Sequence, residues 1–560
     1  MTNKVIAIGL DGTDPLLLEK WVGEGSLPNF AKFFEQGGYT RLKNSVEFLG
    51  ENVGISATEP SWVAFSSGCL PGTTGYWDIT TFDPETYQID STVKTRPYDF
   101  EECPAFFDLG PDVKVCTFDL PVWVPSEKIN GPQVMGWGGH FSAGERQSHP
   151  KNLLKDLQDR FGECNVFDKD HGAIWDAKYM DWIETELKAS IGKRGNIMRH
   201  LLKEEAPDLF IGVFPEGHSA GHDLLMYTQD DHPVHADKKM DGKRYDPMLT
   251  VYQAIDAEIG KILDEKPEDA TLMLFSVHGM DENHSDVLTM AFLPELMYRY
   301  SFPGKAVLPA GDITTAPGPV IKSSRRGSWP AALWTEREDS NPLMRMLRPW
   351  LPGRFLKKDG DSEELQSPYS RNSSQLNWMP ATWYQQQWPK MKAFGLPTFW
   401  EGRIRINVKG RDGDGVVDVE DYDAVCKEVS DVILRLKDPR SGQPIAHRVL
   451  RTRRTALDND PKLPDFDLIV DWNDRAVDVM DSPDVGRIGP VPFMRSGSHR
   501  PRGLAMAIGP SIAAGSELRY GSIVDLAPSV LSLLGAAPRS KLDGESLFVE
   551  GGTSATRKAG

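Results

Sequence analysis

The residues best equipped for chemistry are one threonine, one aspartate and a set of histidines. Thr58 lies in Ser56-Ala-Thr-Glu-Pro-Ser-Trp62, just ahead of an amphipathic run that stops at Gly68. Pro60 suits a first helical turn, where its missing N–H costs nothing. Thr58 then sits at a helix N-terminus, where orphan N–H groups and the helix dipole favour a phosphate or sulfate. A hydroxyl there can attack an anion, or it can simply cap the helix. His218 and His222 stand four residues apart, so on a helix they share a face and can chelate one metal ion.

The elements that must hold these groups follow from the apolar pattern. Val5–Leu10 reads as a buried parallel strand with Asp11 at its carboxyl end, the place where ligand groups gather in open α/β sheets. An aspartate there serves as a helix cap or a metal ligand. Further strands are predicted over 113–118, 208–214, 271–276, 467–471 and 503–508, and helices over 14–34, 151–160, 179–203 and 252–264. His218 and His222 follow the strand over 208–214, His278 follows that over 271–276, and His499 precedes that over 503–508.

Composition bounds the class. The chain has 560 residues, 39% of them hydrophobic, enough for a large core. Its net charge of −18, from 63 Lys and Arg against 81 Asp and Glu, argues against a general nucleic-acid binder. Five scattered cysteines without a CxxC pair suggest reduced thiols and a cytoplasmic setting. No signal peptide is read at the N-terminus, and no run is long and apolar enough to span a membrane. The Asp412-Gly-Asp-Gly stretch fails as a calcium loop, because Val416 and Val417 occupy the fifth and sixth positions. It reads as a turn between two strands.

The segment Ser56–Asp78 resembles the nucleophile segment of the alkaline phosphatase superfamily, in its type I phosphodiesterase/nucleotide pyrophosphatase branch. The other motifs follow in the family's order: Asp11 after the first strand, His218-Ser-Ala-Gly-His222, His278-Gly-Met, and Gly497-Ser-His499 before a strand ending in Gly-Pro. The resemblance implies an α/β, alkaline-phosphatase-like three-layer sandwich, with a mostly parallel central sheet, helices on both faces and an inserted cap. Residues 1–300 and 393–548 would be the two parts of that domain, 301–392 the Trp/Arg-rich insertion, and 549–560 a flexible tail. In the insertion, Arg325, Arg326 and Arg337 could meet an anionic substrate and the tryptophans of Trp378–Trp388 could stack on a ring. A loosely packed excursion or an oligomer contact would give the same composition.

Two departures from the family pattern matter. His218 stands where the family carries an aspartate, so either His218 or Glu216 is the ligand there. Val277 stands where a second aspartate precedes the histidine, and a valine coordinates nothing. Asp281, Glu282, Asn283 or His284 would have to fill that gap, or the second metal site is weak or empty.

Carried over by position, the resemblance implies one ion on Asp11, Thr58 and His278 and another on His218, His222 and His499. The first would lower the Thr58 hydroxyl pKa and the second polarise the phosphoryl oxygen. In-line attack would give a phospho-threonine intermediate, which is then hydrolysed. Zinc suits the histidine-rich site by ligand type, with manganese or iron possible, at one or two ions per chain. A small anionic phosphate ester is the implied partner, with no nucleic-acid polymer. The alternatives are a phosphomonoesterase or phosphotransferase using Thr58, or a non-catalytic metal-binding relative. A sulfatase is excluded, because Cys69-Leu-Pro-Gly-Thr lacks the arginine of the Cys-x-Pro-x-Arg context and lies after the nucleophile position.

Overall fold

Val5–Leu10 forms the middle of the molecule because each of its faces has apolar residues to bury. In the computed structural model, which describes residues 3–90, 102–138, 146–167, 169–170, 174, 176–321, 329–330, 333, 365 and 379–548, it lies in strand β1 (Lys4–Leu10). The strands sharing its sheet are β2 (Gly38–Lys43), β3 (Val115–Phe118), β4 (Gln133–Met135), β5 (Gln147–His149), β6 (Leu209–Phe214) and β7 (Ala270–Ser276). After a short strand β8 (Gly279–Glu282) and its partner β9 (Gly497–Arg500), β10 (Arg502–Ile508) and β11 (Ser516–Glu517) complete it. The nine strands run β11-β2-β10-β7-β1-β6-β3-β4-β5. The centre is parallel, with Val5 opposite both Leu209 and Thr271. β10 runs antiparallel between β7 and β2.

Two hydrophobic clusters flank this sheet. Ile6, Ile8 and Leu10 belong to the larger one, with side chains of α1 (Pro15–Gly23), α2 (Pro28–Gln36), α4 (Ala177–Glu205) and α6 (Pro247–Glu265). Val5 and Ala7 belong to the other, with α3 (Thr58–Ser67) and α7 (Leu526–Leu534). Alternating side chains of one strand thus feed opposite layers, which is how a sheet is buried on both faces. Helix α3 is buried at every residue but Glu59 and ends at Gly68, whose φ of 68° is the left-handed cap expected there.

A smaller antiparallel sheet is built from Ala393–Gly395, Gly402–Ile406, Leu468–Trp472 and Ala446–Arg451, in that spatial order. The turn predicted at Asp412 is present, but the strand expected after it is not: an isolated Val408–Val417 bridge follows, and the chain passes into the helix Tyr422–Leu434. The Asp412 carboxylate holds the turn, accepting from the Val408 N–H at 2.8 Å and from Arg405 at 2.6 Å.

The Trp/Arg-rich region differs from expectation where it is described. Trp383 and Trp388 lie in the 3-10 turns of Pro380–Lys390 and are each 1% exposed. Trp388 stacks on Phe394 of the small sheet, and the Tyr384 hydroxyl donates to buried Glu295 at 2.5 Å. These rings are part of the core. Arg325, Arg326, Arg337, Trp378 and the tail 549–560 lie outside the described residues. Among the described residues, no helix is long and apolar enough to cross a membrane, and all five cysteines are free and buried.

Candidate active site

Three strand ends and one ribbon converge on a single point. Asp11 leaves β1, α5 (Glu216–Leu224) leaves β6 after Pro215, and His278 leaves β7. The chain then turns into β8, which pairs antiparallel with β9 so that Met280 faces His499. That ribbon carries His499, 221 residues away in sequence, against His278, and the two imidazoles stack at 4.1 Å between centroids. Helix α5 packs closely on the ribbon at Gly221, where an added Cβ would come within 2.5 Å of Met280 Cγ.

Thr58 is the first residue of α3 and faces this point. Its Oγ1 lies 3.3 Å from His278 Nε2 and 3.4 Å from His499 Nδ1. Asp11 Oδ1 accepts the Trp62 indole N–H at 3.0 Å and lies 3.3 Å from His278 Nε2. Asp11 Oδ2 is 3.7 Å from His218 Nδ1; it is buried and has no hydrogen-bond donor. The Nε2 atom of His218 is 2.7 Å from that of His499 and 3.0 Å from that of His222, and the latter two are 3.0 Å apart. All six residues predicted for the site are therefore gathered in one place.

The backbone sets the tautomers. A carbonyl only accepts, so His222 Nδ1 donates to Gly497 O at 2.7 Å and His499 Nδ1 to Ser56 O at 3.0 Å. Their Nε2 lone pairs are left aimed at one another and at His218. Convergent lone pairs repel unless a cation or proton lies among them, and the buried Asp11 oxygen calls for the same partner. His218, His278 and His499 offer nitrogens within 4.8 Å of one another. The donor set fits a metal ion of the kind imidazole and carboxylate bind. Thr58 is the member most open to solvent, at 7% exposure, while His222 and His278 are at 0%.

The substitutes considered for missing carboxylates do not reach this point. Glu216 Oε1 accepts from Arg194 at 2.8 Å and from Ser190 at 2.7 Å, in a buried cluster with Asp119. Arg194 outcompetes a metal for it by neutralising its charge where desolvation is most costly. Asp281 bonds Arg502 and Gln229, both at or below 2.7 Å; burial works against its ionisation, but Arg500 and Arg502 keep its pKa low. Glu282 accepts the Ala476 N–H, Asn283 donates to Asp286, and His284 meets Ser498 and Arg500. Val277 is fully buried among Leu42, Phe275 and Ile523, so that position is apolar in fact as well as in name.

Two neighbours went unrecognised in the sequence. Arg495 donates to His222 Nε2 at 3.0 Å while Asp286 grips it through two oxygens, at 2.5 and 3.2 Å. Trp400 stacks on His499, with centroids 4.6 Å apart. Beside it, Glu401 has its carboxyl pushed up to about 7, because burial outweighs the pull of Arg403.

A mostly parallel sheet flanked by helices, with an aspartate, a threonine and four histidines at its strand ends, defines a hydrolase of the alkaline phosphatase superfamily. The chain belongs to the type I phosphodiesterase/nucleotide pyrophosphatase family, whose sequence model matches residues 5–364, and is a phosphoric ester hydrolase. It is similar to a crystal structure of phosphonoacetate hydrolase from Sinorhizobium meliloti 1021 in complex with phosphonoformate, at 13% identity and a TM-score of 0.43, over 96% of either chain. No functionally curated protein matches it by sequence. The family is metal-dependent, in keeping with the histidine cluster.

Proposed function

We propose that the protein is a metal-dependent phosphodiesterase acting on a small anionic diester or phosphoanhydride, with Thr58 as nucleophile. The observation that carries this is the position of Thr58 Oγ1, within 3.4 Å of two imidazoles at the N-terminus of a buried helix. Asp11, Thr58 and His278, and His218, His222 and His499, are the residues that would hold divalent metal, zinc being the best match to imidazole donors. Bound there, a divalent ion supplies Lewis acidity, favouring the Thr58 alkoxide and neutralising charge on the phosphoryl group.

The chain's own residues do the rest. Trp62 fixes Asp11, and Asp11 and the tautomer of His499 fix the donors around Thr58. The positive end of α3 favours the anion that Thr58 attacks. Attack forms the Thr58 Oγ–P bond and breaks the bond to the leaving oxygen, which departs as an alcohol or phosphate. Water then hydrolyses the covalent ester and restores the hydroxyl. Burial of the imidazoles limits solvent at the centre, where Thr58 is the most exposed of the six residues. The five reduced, buried cysteines support a cytoplasmic location.

The test is hydrolysis of bis-p-nitrophenyl phosphate beside the monoester, with zinc or manganese added, in the wild type and in Thr58→Ala. Diester turnover lost in the variant supports the proposal. Preferential monoester turnover would move the assignment to a phosphomonoesterase at the same site.

A further inference from the structure

We infer that the centre holds one divalent ion rather than two. The ion would be bound by His218, His278 and His499 with Asp11, while Arg495 withholds His222 and supplies the second positive charge. This rests on the metal-dependent reading above and divides its ligands differently.

Three observations carry it. First, His222 Nδ1 donates to Gly497 O, and its Nε2, 3.0 Å from the Nε2 atoms of both His218 and His499, lies equally 3.0 Å from an Arg495 N–H that competes for its lone pair. A lone pair that accepts a guanidinium proton is not available to a metal. The guanidinium is held in place by Asp286 on two sides and lies over the Phe399 ring at 4.9 Å. Asp286 is in turn bonded by Asn283 Nδ2 at 2.9 Å, so the group is fixed, buried and charge-balanced without the centre.

Second, His218, His278 and His499 approach within 4.8 Å of one another, across the boundary of the two sites expected by position. Asp11 joins both halves, with Oδ1 at 3.3 Å from His278 and Oδ2 at 3.7 Å from His218. Its Oδ2 is the buried acceptor lacking a hydrogen-bond donor, and one ion among these groups would satisfy it. Ligand nitrogens on a tetrahedral zinc lie ~3.3 Å apart for bonds of about 2.0–2.1 Å, so the His218–His499 pair, at 2.7 Å, would open and the wider pairs close to complete the shell.

Third, the charge fits one ion. Asp11 is the only carboxylate among the six residues, and Val277 adds none. Two divalent ions beside a buried arginine would leave a large uncompensated positive charge in a desolvated place. One ion, with Arg495 already balanced by Asp286, leaves a net positive site suited to a phosphoryl anion.

The experiment is metal stoichiometry by mass spectrometry on the full chain at saturating zinc, then manganese, with titration calorimetry after chelation. Wild type is expected to hold one ion per chain. His222→Gln should change the dissociation constant by about threefold or less. His278→Gln and His499→Gln should each weaken it roughly a hundredfold or more, beyond what outer-shell partners contribute. Apo melting curves confirm that each variant is folded, and the wild-type count needs no variant. Two tightly held ions in wild type, or a His222→Gln effect as large as that of His499→Gln, overturns the inference. If two ions are held while Thr58→Ala abolishes diester turnover, only the one-ion centre falls. If one is held while Thr58→Ala still turns over, the proposed nucleophile falls instead.

Discussion

The indole N–H of Trp62 donates to Asp11 Oδ1 at 3.0 Å, tying the helix that carries Thr58 to the strand end that carries the only carboxylate of the centre. Both groups are buried, so this bond sets the distance between nucleophile and carboxylate. Trp62→Phe keeps most of the ring and removes the donor. A hydrogen bond to a charged group contributes about 1.5–3 kcal/mol, and thermal or denaturant unfolding should show a loss of that size. Metal affinity should fall about 10–100-fold, as for other outer-shell partners. An unchanged affinity would mean that Asp11 is oriented by something else.

Trp400 stacks on His499 and holds its ring plane. Trp400→Leu preserves bulk without the aromatic face. Diester kcat/KM should fall about three- to tenfold, corresponding to the 0.5–1.5 kcal/mol of an aromatic pair, with metal stoichiometry unchanged. Loss of the ion itself would show that the stack holds the ligand set together.

Val277→Asp places a carboxylate at the position where the family pattern has one. The site is fully buried among apolar side chains, so the substitution should destabilise the metal-free protein by about 3–5 kcal/mol. The comparison to make is denaturant unfolding with and without zinc. A metal-dependent recovery would show that the new carboxylate reaches the centre; equal destabilisation in both conditions is expected from its apolar surroundings.

Glu401 gives a pH signature. Its folded pKa of about 7 lies above the ordinary 4.5, so the folded state keeps a proton that the unfolded chain releases. Stability from this group is fully present below about 4.5 and is lost as pH rises through 7. Glu401→Gln removes the titration, so the melting temperature of the variant relative to wild type should climb between pH 5 and 8. A constant difference across that range would contradict the raised pKa.

The six proposed site residues were legible because each follows or precedes an apolar run long enough to read as a strand or helix, and strand ends in an α/β sheet converge. His218 and His222 needed only the helical repeat. Arg495 and Trp400 were not legible, since both lie in connections without periodicity. Arg495 is brought to His222 by the pairing of β8 with β9, and Trp400 to His499 by the small sheet that follows the insertion. The burial of the tryptophans of Pro380–Lys390 was not legible for a related reason. Their 3-10 turns carry no amphipathic repeat, and their burial comes from packing against Phe394 and neighbours. The fate of Glu216 depended on Arg194, a partner 22 residues away on α4 that no local pattern marks.

The most direct test of the account is rapid-quench mass spectrometry of the metal-loaded enzyme mixed with bis-p-nitrophenyl phosphate, followed by peptide mapping. A transient nitrophenyl-phosphoryl adduct is expected on the peptide containing Thr58, absent in Thr58→Ala together with turnover. Turnover that persists in Thr58→Ala, with no adduct on that peptide in wild type, would contradict the assignment of Thr58 as nucleophile.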